Sequence, residues 1–349
     1  MVNVTTKNLR ATTARRIVWM DLLRGIAIVL VVLDHSSDQI RSNTPGAIGA
    51  VNIFNDAVSP FRMAALMFLS GMLLARSLAK PWRVYVVGKL GKVGWPYLLW
   101  SFAILGLLAA TSFITGGTVT VSQFVRVFYD PPTYLWYLAY LLLFYAVSLI
   151  LRSGALRSAL VPVALVASAF MPYELKRLLF LFAFFLLGDL VSRHSQAFDR
   201  VVARPAVCLL GALLGMATAL AAGSGISVRY ESLWSVGVMG MIVAVIPLLK
   251  RVAVTAPGRF LASVGQNSIV YYVTHWCVIL VSYHVLYRAG VSSPLVLFVS
   301  VLACGLASGY LMVAARKRFR MVGGLYELPL NRTKIVRARE LAGAERMPA

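Results

Sequence analysis

The 349-residue chain has only 13% charged residues against 60% hydrophobic ones, with a mean hydropathy of +0.79. A soluble domain needs about a quarter of its residues charged to cover a water-facing surface, so this composition excludes a soluble fold. Lys and Arg outnumber Asp and Glu by 34 to 12, but they are scattered over alternate loops without a basic domain. That distribution excludes a nucleic-acid binder and points to positive-inside membrane topology.

In chain order, apolar runs that fit a bilayer-crossing helix of roughly 17–25 residues fall near 17–37, 60–79, 95–113, 133–151, 156–171, 174–192, 203–222, 233–249, 264–287 and 293–315. Pro172 and Glu174 supply the only break between the fifth and sixth. With the N-terminus inside, 26 of the 34 basic residues fall in inner segments, from Lys7, Arg10, Arg15 and Arg16 to the run Arg316, Lys317 and Arg318. Every inner segment then holds at least two, and removing one span would break the alternation. The expected fold is all-α, a polytopic transmembrane helix bundle of about 10 spans with N-terminus and C-terminus cytoplasmic.

A basic N-terminal segment (1–16) would precede the membrane domain (17–315), and a basic tail (316–349) would lie on the inner membrane surface or be disordered. The stretches 38–59 and 114–132, rich in Gly, Ser, Thr and Asn, are expected as outer loops. Cys208, Cys277 and Cys304 all sit in apolar runs, so neither a disulfide framework nor a metal site is expected. The first run lacks a small-residue cleavage site and reads as a membrane span, not a signal peptide.

Charged groups inside spans cost at least about 2.5 kcal/mol each on insertion scales and invite a functional reading. Arg24 and His35 are eleven residues apart in the first span, which returns them to nearly the same helix face about 16 Å along the axis. A cation towards one side and an imidazole towards the other suit a polar path reached from both faces; the plainer reading is that Arg24 snorkels to an interface and His35 sits among headgroups. His35 has the residue type of a general base near neutral pH. Asp38, one turn on, could orient its ring, whereas Asp34 is expected to point elsewhere. Arg62 is a further candidate on the outer side.

Lys89 and Lys92 are spaced to share a helix face just before Trp95-Pro96-Tyr97, where they could hold phosphates or simply anchor an inner loop. Ser268, Tyr272 and His275 fall at i, i+4 and i+7 in the ninth span, as part of a site or as a hydrogen-bonded seam between helices.

Taken together and in order, these residues resemble the integral-membrane acyltransferase type 3 family. Asp21-Leu22-Leu23-Arg24-Gly25-Ile26-Ala27 through His35 is similar to the family's Arg-x10-His first span, and Met67-Phe68-Leu69-Ser70-Gly71 to its second. Lys89-x-x-Lys92 resembles its Arg-x-x-Arg element, with Lys in place of Arg, and Leu135-Trp136-Tyr137 its Leu-Trp-Phe motif. Phe184-Phe185-Leu186-Leu187-Gly188 and Gly265-Gln266-Asn267-Ser268 to His275 resemble its later spans.

The resemblance implies transfer of an acyl group from acyl-CoA, most simply acetyl-CoA, to a hydroxyl. No permanently bound cofactor is expected, and membrane lipids are the surrounding partners. His35 would be the base, Arg24 its motif partner, Lys89 and Lys92 the donor-binding pair, and Trp136 a further site candidate. The acceptor would be a cell-envelope glycan or glycolipid, or else a small secondary metabolite such as a macrolide, at a bacterial plasma membrane. The hydrolase-like domain fused to some members is not expected in these residues. A glycan or lipid flippase is the competing class; it calls for paired acids at mid-membrane, whereas Asp21, Asp34 and Asp189 lie near span ends.

Overall fold

The computed structural model describes residues 3–44, 48–115 and 121–328, with side chains described from Val18 onward apart from 111–121. The outermost part of the basic tail, including Arg332, Lys334, Arg337, Arg339 and Arg346, lies outside the described residues.

Among the described residues the chain is helical, without strands. In order the helices are α1 (Asn3–Asn43), α2 (Gly49–Gly71), α3 (Leu74–Leu78), α4 (Trp82–Lys89), α5 (Trp95–Thr115), α6 (Val121–Arg126), α7 (Trp136–Ile150) and α8 (Gly154–Ala169). They continue as α9 (Tyr173–Arg193), α10 (Ser195–Val202), α11 (Pro205–Gly223), α12 (Ser235–Val252), α13 (Ala256–Gln266), α14 (Ser268–Arg288), α15 (Pro294–Arg318) and α16 (Arg320–Gly324). A π-helical turn, Leu90–Gly94, joins α4 to α5, and a 3₁₀ turn, Thr133–Leu135, leads into α7.

Each expected span falls on helical chain, with 60–79 divided between α2 and α3 and 264–287 between α13 and α14. Seven stretches among the described residues are long and apolar enough to cross a membrane: Gly49–Leu78, Trp82–Ala110, Thr133–Ile150, Pro205–Gly223, Ser232–Val252, Ser268–Arg288 and Pro294–Arg318. The other three depart for separate reasons. α1 carries Asp21, Arg24 and Asp34; α8 has 16 residues; α9 carries Glu174, Lys176, Arg177, Asp189 and Arg193. The break between α8 and α9 comes at Pro172, whose extended backbone (φ −57°, ψ 156°) starts a new helix. A hydrocarbon environment accounts for the row Leu209, Leu210, Leu213, Met216 and Leu220, all exposed on α11.

The stretch 38–59 is not the loop its composition suggests. α1 runs on to Asn43 and α2 starts at Gly49, so the connection between them is short. α2 also passes straight through Pro60. Membrane helices tolerate such prolines where neighbouring groups satisfy the freed carbonyl.

The chain divides into two compact units, Met1–Leu73 with Ser158–Tyr310, and Leu74–Arg157 with Leu311–Ala349. In the first, glycines let helices pack backbone to backbone. A Cβ on Gly25 of α1 would lie 2.0 Å from the Leu261 carbonyl oxygen, and one on Gly265 of α13 would lie 1.8 Å from that of Asp21. Gly71 and Gly188 make the same reciprocal contact between α2 and α9, with Phe185 and Phe68 carbonyls at 1.8 and 2.0 Å. Close approach through small residues is how membrane helices gain packing energy without a hydrophobic driving force.

In the second unit, the segment after α15 folds back onto α5. Trp95 Nε1 donates to the Gly324 carbonyl (2.7 Å), Trp100 Nε1 to that of Leu325 (3.1 Å), and Trp100 stacks on Tyr326 at 5.9 Å. Leu328 N donates to the Gly91 carbonyl at 3.0 Å. Tyr326 is buried, and burial pushes its phenol up to about 12.

Candidate active site

His35 lies on α1, near its C-terminal end, within a polar cluster of the first unit. Its ring centroid is 5.2 Å from that of His275 on α14, with the planes tilted by 34°. The two imidazoles have unlike settings. His275 is fully buried, and its Nδ1 donates to the Tyr271 carbonyl (3.1 Å), which leaves the lone pair of the neutral ring on Nε2. His35 keeps part of its surface open. Tyr272 is the next ring along, 6.0 Å from His275.

Three residues form a closed triangle beside His35. Arg62 Nη2 is 2.8 Å from Asp34 Oδ1, Asn55 Nδ2 donates to the same oxygen at 2.8 Å, and Arg62 Nη1 donates to Asn55 Oδ1 at 2.5 Å. Arg62 is 2% exposed, so its charge depends on that partner. The sequence reading had Asp34 pointing away from His35, and the structure corrects this. Ligand atoms of Asp34, His35 and Asp38 all lie within 4.8 Å of one another. Consecutive side chains diverge by about 100°, but the long reach of a carboxylate and an imidazole closes that gap.

Three such groups could in principle hold a metal, and in each carboxylate the Oδ1 oxygen is already engaged. Asp34 holds Arg62 and Asn55, and Asp38 takes a hydrogen bond from Arg41 Nη2 at 2.6 Å.

Arg24 belongs to a second polar centre on α1. Its Nη1 is 3.7 Å from Asp21 Oδ1, and Gln266 Nε2 of α13 donates to Asp21 Oδ2 at 3.1 Å. The Gly25–Gly265 crossing makes that contact possible by bringing α13 onto α1. Arg24 and His35 are thus two stations about 16 Å apart on one helix, without direct contact. Ser268 starts α14, seven residues and about 10 Å along the helix from His275.

Lys89, Lys92 and Trp136 belong to the second unit. Lys89 Nζ lies 3.5 Å from the centroid of the Tyr145 ring and 5.6 Å from that of Tyr85, whose hydroxyl donates to the Tyr145 carbonyl at 2.9 Å. Lys92 is 70% exposed, 3.7 Å from Glu327. The expected shared face is therefore lost. The π-helical turn begins directly after Lys89, and its wider winding carries Lys92 round to the surface. Trp136 packs edge-on against Tyr140 at 5.3 Å.

The described residues form a helical bundle with several membrane-length apolar helices, in which Asp34 and His35 of α1 lie beside the buried His275 of α14. A profile of the acyltransferase type 3 family, described as an acyltransferase domain, matches residues 17–314. The chain belongs to this acyltransferase family. Comparisons with curated proteins and with solved structures gave no match.

Sequence reasoning missed Asn55 and left Asp34 without a role. The available signal was Asp34 itself, since a carboxylate near a span end needs a cation, and Arg62 is the basic residue of the next helix.

Proposed function

We propose that the chain is an acyl-CoA-dependent membrane O-acyltransferase acting on a hydroxyl of a cell-envelope glycan or glycolipid. What supports this, beyond family membership, is His35: partly open, beside a second imidazole and within 4.8 Å of two carboxylates. In this reading the acceptor hydroxyl gives its proton to His35, and its oxygen attacks the thioester carbonyl. The new O–acyl bond forms as the C–S bond breaks, and His35 returns the proton to the departing CoA thiolate. Donor phosphates are assigned to the basic Lys89 and Lys92, and the acyl group is most simply acetyl.

The topology that goes with this reading has ten spans with both termini cytoplasmic, in a bacterial plasma membrane. α1, α8 and α9 cross the bilayer despite their charges or short length, because the alternation of basic loops requires them. The test is acyl transfer from radiolabelled acyl-CoA by purified His35→Ala protein in liposomes. Loss of turnover by a factor of about 10²–10⁴ is expected for a general base; wild-type turnover would reject the mechanism.

A further inference from the structure

The connection between α11 and α12 carries a half-buried cation that the mechanism above does not use. Val228 and Tyr230 are 2% and 1% exposed, so this segment packs inward. It is held in place on both sides. Glu231 pairs with Lys176 of α9 at 2.6 Å, Tyr230 packs against Tyr173 (6.2 Å) and Phe180 (5.9 Å), and the Ser232 hydroxyl is 2.7 Å from that of Ser168.

Tyr230 has φ of +64°, a left-handed conformation that is an outlier for so bulky a side chain. Such strain persists where the surroundings enforce it, and it gathers at ligand clamps and active sites. Here it sets the position of the residue before it.

That residue is Arg229. Its Nη2 donates to the Tyr230 hydroxyl at 3.2 Å, and its Cζ is 5.1 Å from the Tyr230 ring centroid. Its Nε is buried with no hydrogen-bond partner. Among the described residues no carboxylate pairs with it, because Glu231 is taken by Lys176 and Asp34 by Arg62 and Asn55. Tyr230 does not supply the missing charge either, since burial raises its phenol above the usual range. Arg229 lies within electrostatic reach of Asp34, His35 and Arg62. The neighbourhood of His35 therefore holds the guanidiniums of Arg62 and Arg229 together with Asp34, whose Oδ1 is shared by Arg62 and Asn55, and Asp38, whose Oδ1 is held by Arg41. A guanidinium donor shut off from water without a partner is costly until an acceptor arrives.

We infer that Arg229 is the anion receptor of the acceptor site, and that the acceptor carries a carboxylate or phosphate close to the hydroxyl that His35 deprotonates. This rests on the acyltransferase reading for the role of His35. The anion binds Arg229 through Nε, the donor that faces no partner, in a charge-assisted hydrogen bond. Donor phosphates are not the intended guest, because the second unit has its own basic residues.

The test uses the full chain, purified in detergent, in a Lys89→Ala/Lys92→Ala background so that donor-site phosphate binding does not register. Thermal unfolding followed by tryptophan fluorescence is titrated with inorganic phosphate, glucuronate, glucose 6-phosphate and glucose. The three anions are expected to raise Tm and glucose is not. Arg229→Gln abolishes the shift, while Arg229→Lys keeps part of it and serves as the folding control. A larger shift with the acidic sugars than with inorganic phosphate assigns the anion to the acceptor. Equal shifts in Arg229→Gln and its parent, a shift with glucose equal to that with glucuronate, or a shift no larger with the acidic sugars than with inorganic phosphate would overturn the inference.

With Lys89 and Lys92 intact, Arg229→Gln should raise KM for an acidic acceptor about tenfold, the loss of one charge-assisted hydrogen bond, with kcat nearly unchanged. Unchanged KM there also overturns it. If the anion shift is present but no acceptor is acylated by wild type, the anion site stands and the acyltransferase reading falls.

Discussion

Asp34 on α1 and Arg62 on α2 are joined at 2.8 Å, with Asn55 bonded to both, directly beside the candidate catalytic imidazole. The pair ties α1 to α2. Because Arg62 is buried, losing its partner leaves an uncompensated charge in the protein interior. Asp34→Asn or Arg62→Met alone should each cost about 3 kcal/mol. The double variant should recover much of that, since the orphaned charge is then gone. Thermal unfolding of the four proteins gives the cycle, and strict additivity would show that the pair is not coupled.

Gly25 and Gly265 meet backbone to backbone, and the atoms in the way are carbonyl oxygens. A carbonyl held in a helix cannot swing aside as a long side chain can, so α1 and α13 must part. Gly25→Ala and Gly265→Ala are each expected to cost about 1–3 kcal/mol. They should also loosen the Asp21–Gln266 contact and with it the setting of Arg24. Stability near wild type in either variant would mean that the crossing is far looser than the contact distances indicate.

The two lysines of the Lys-x-x-Lys element should separate in experiment as they do in space. Lys92, exposed and 3.7 Å from Glu327, makes a surface pair worth about 0–1 kcal/mol at most. Lys92→Ala should leave stability unchanged and raise KM for acyl-CoA, with the difference shrinking at high salt. Lys89 sits over Tyr145, and Lys89→Ala should cost about 1 kcal/mol in stability through the lost cation–π contact as well. If both variants behave alike in stability, the aromatic setting of Lys89 contributes nothing.

Most of the helical scaffold could be read from the sequence, because bilayer-length apolar runs and basic loops are written locally. Where reading failed, the missing information was not local. The stretch 38–59 read as a loop from its Gly, Ser, Thr and Asn content, yet α1 runs to Asn43 and α2 starts at Gly49, because the packing that holds a helix there lies outside any sequence window. The pairing of Lys89 with Lys92 assumed α-helical winding, and one π turn undoes it. For the site, residue types pointed to His35 and His275 but not to their mutual approach, which depends on how α14 packs on α1. Nothing in the sequence singles out Arg229, whose setting follows from how its connecting segment packs onto α9.

The segment 320–328 should be essential to the second unit. Tyr326 is 1% exposed, and two tryptophans of α5 donate to the carbonyls of Gly324 and Leu325. Truncation after Arg318 should lower Tm sharply and Tyr326→Ala should cost about 3 kcal/mol, whereas a chain ending at Leu328 keeps all of these contacts and should unfold well above the shorter one. Equal stability of the two truncations would show that the fold-back is not a stabilising contact.

His275 provides the sharpest separation between packing and chemistry. It is fully buried, with its ring 5.2 Å from His35 and its Nδ1 fixed on the Tyr271 carbonyl. As a positioning residue it should hold the His35 ring in the orientation that accepts the acceptor's proton. His275→Ala removes both ring and filler, so a fall in activity there could reflect a cavity alone. His275→Phe keeps an aromatic ring of similar volume without the nitrogens, and this variant decides the matter. Its Tm should stay closer to wild type than that of His275→Ala, while kcat falls about 10–100-fold and KM for acyl-CoA holds. Wild-type kcat in His275→Phe would reduce His275 to a space-filling ring and leave the orientation of His35 to its two carboxylates.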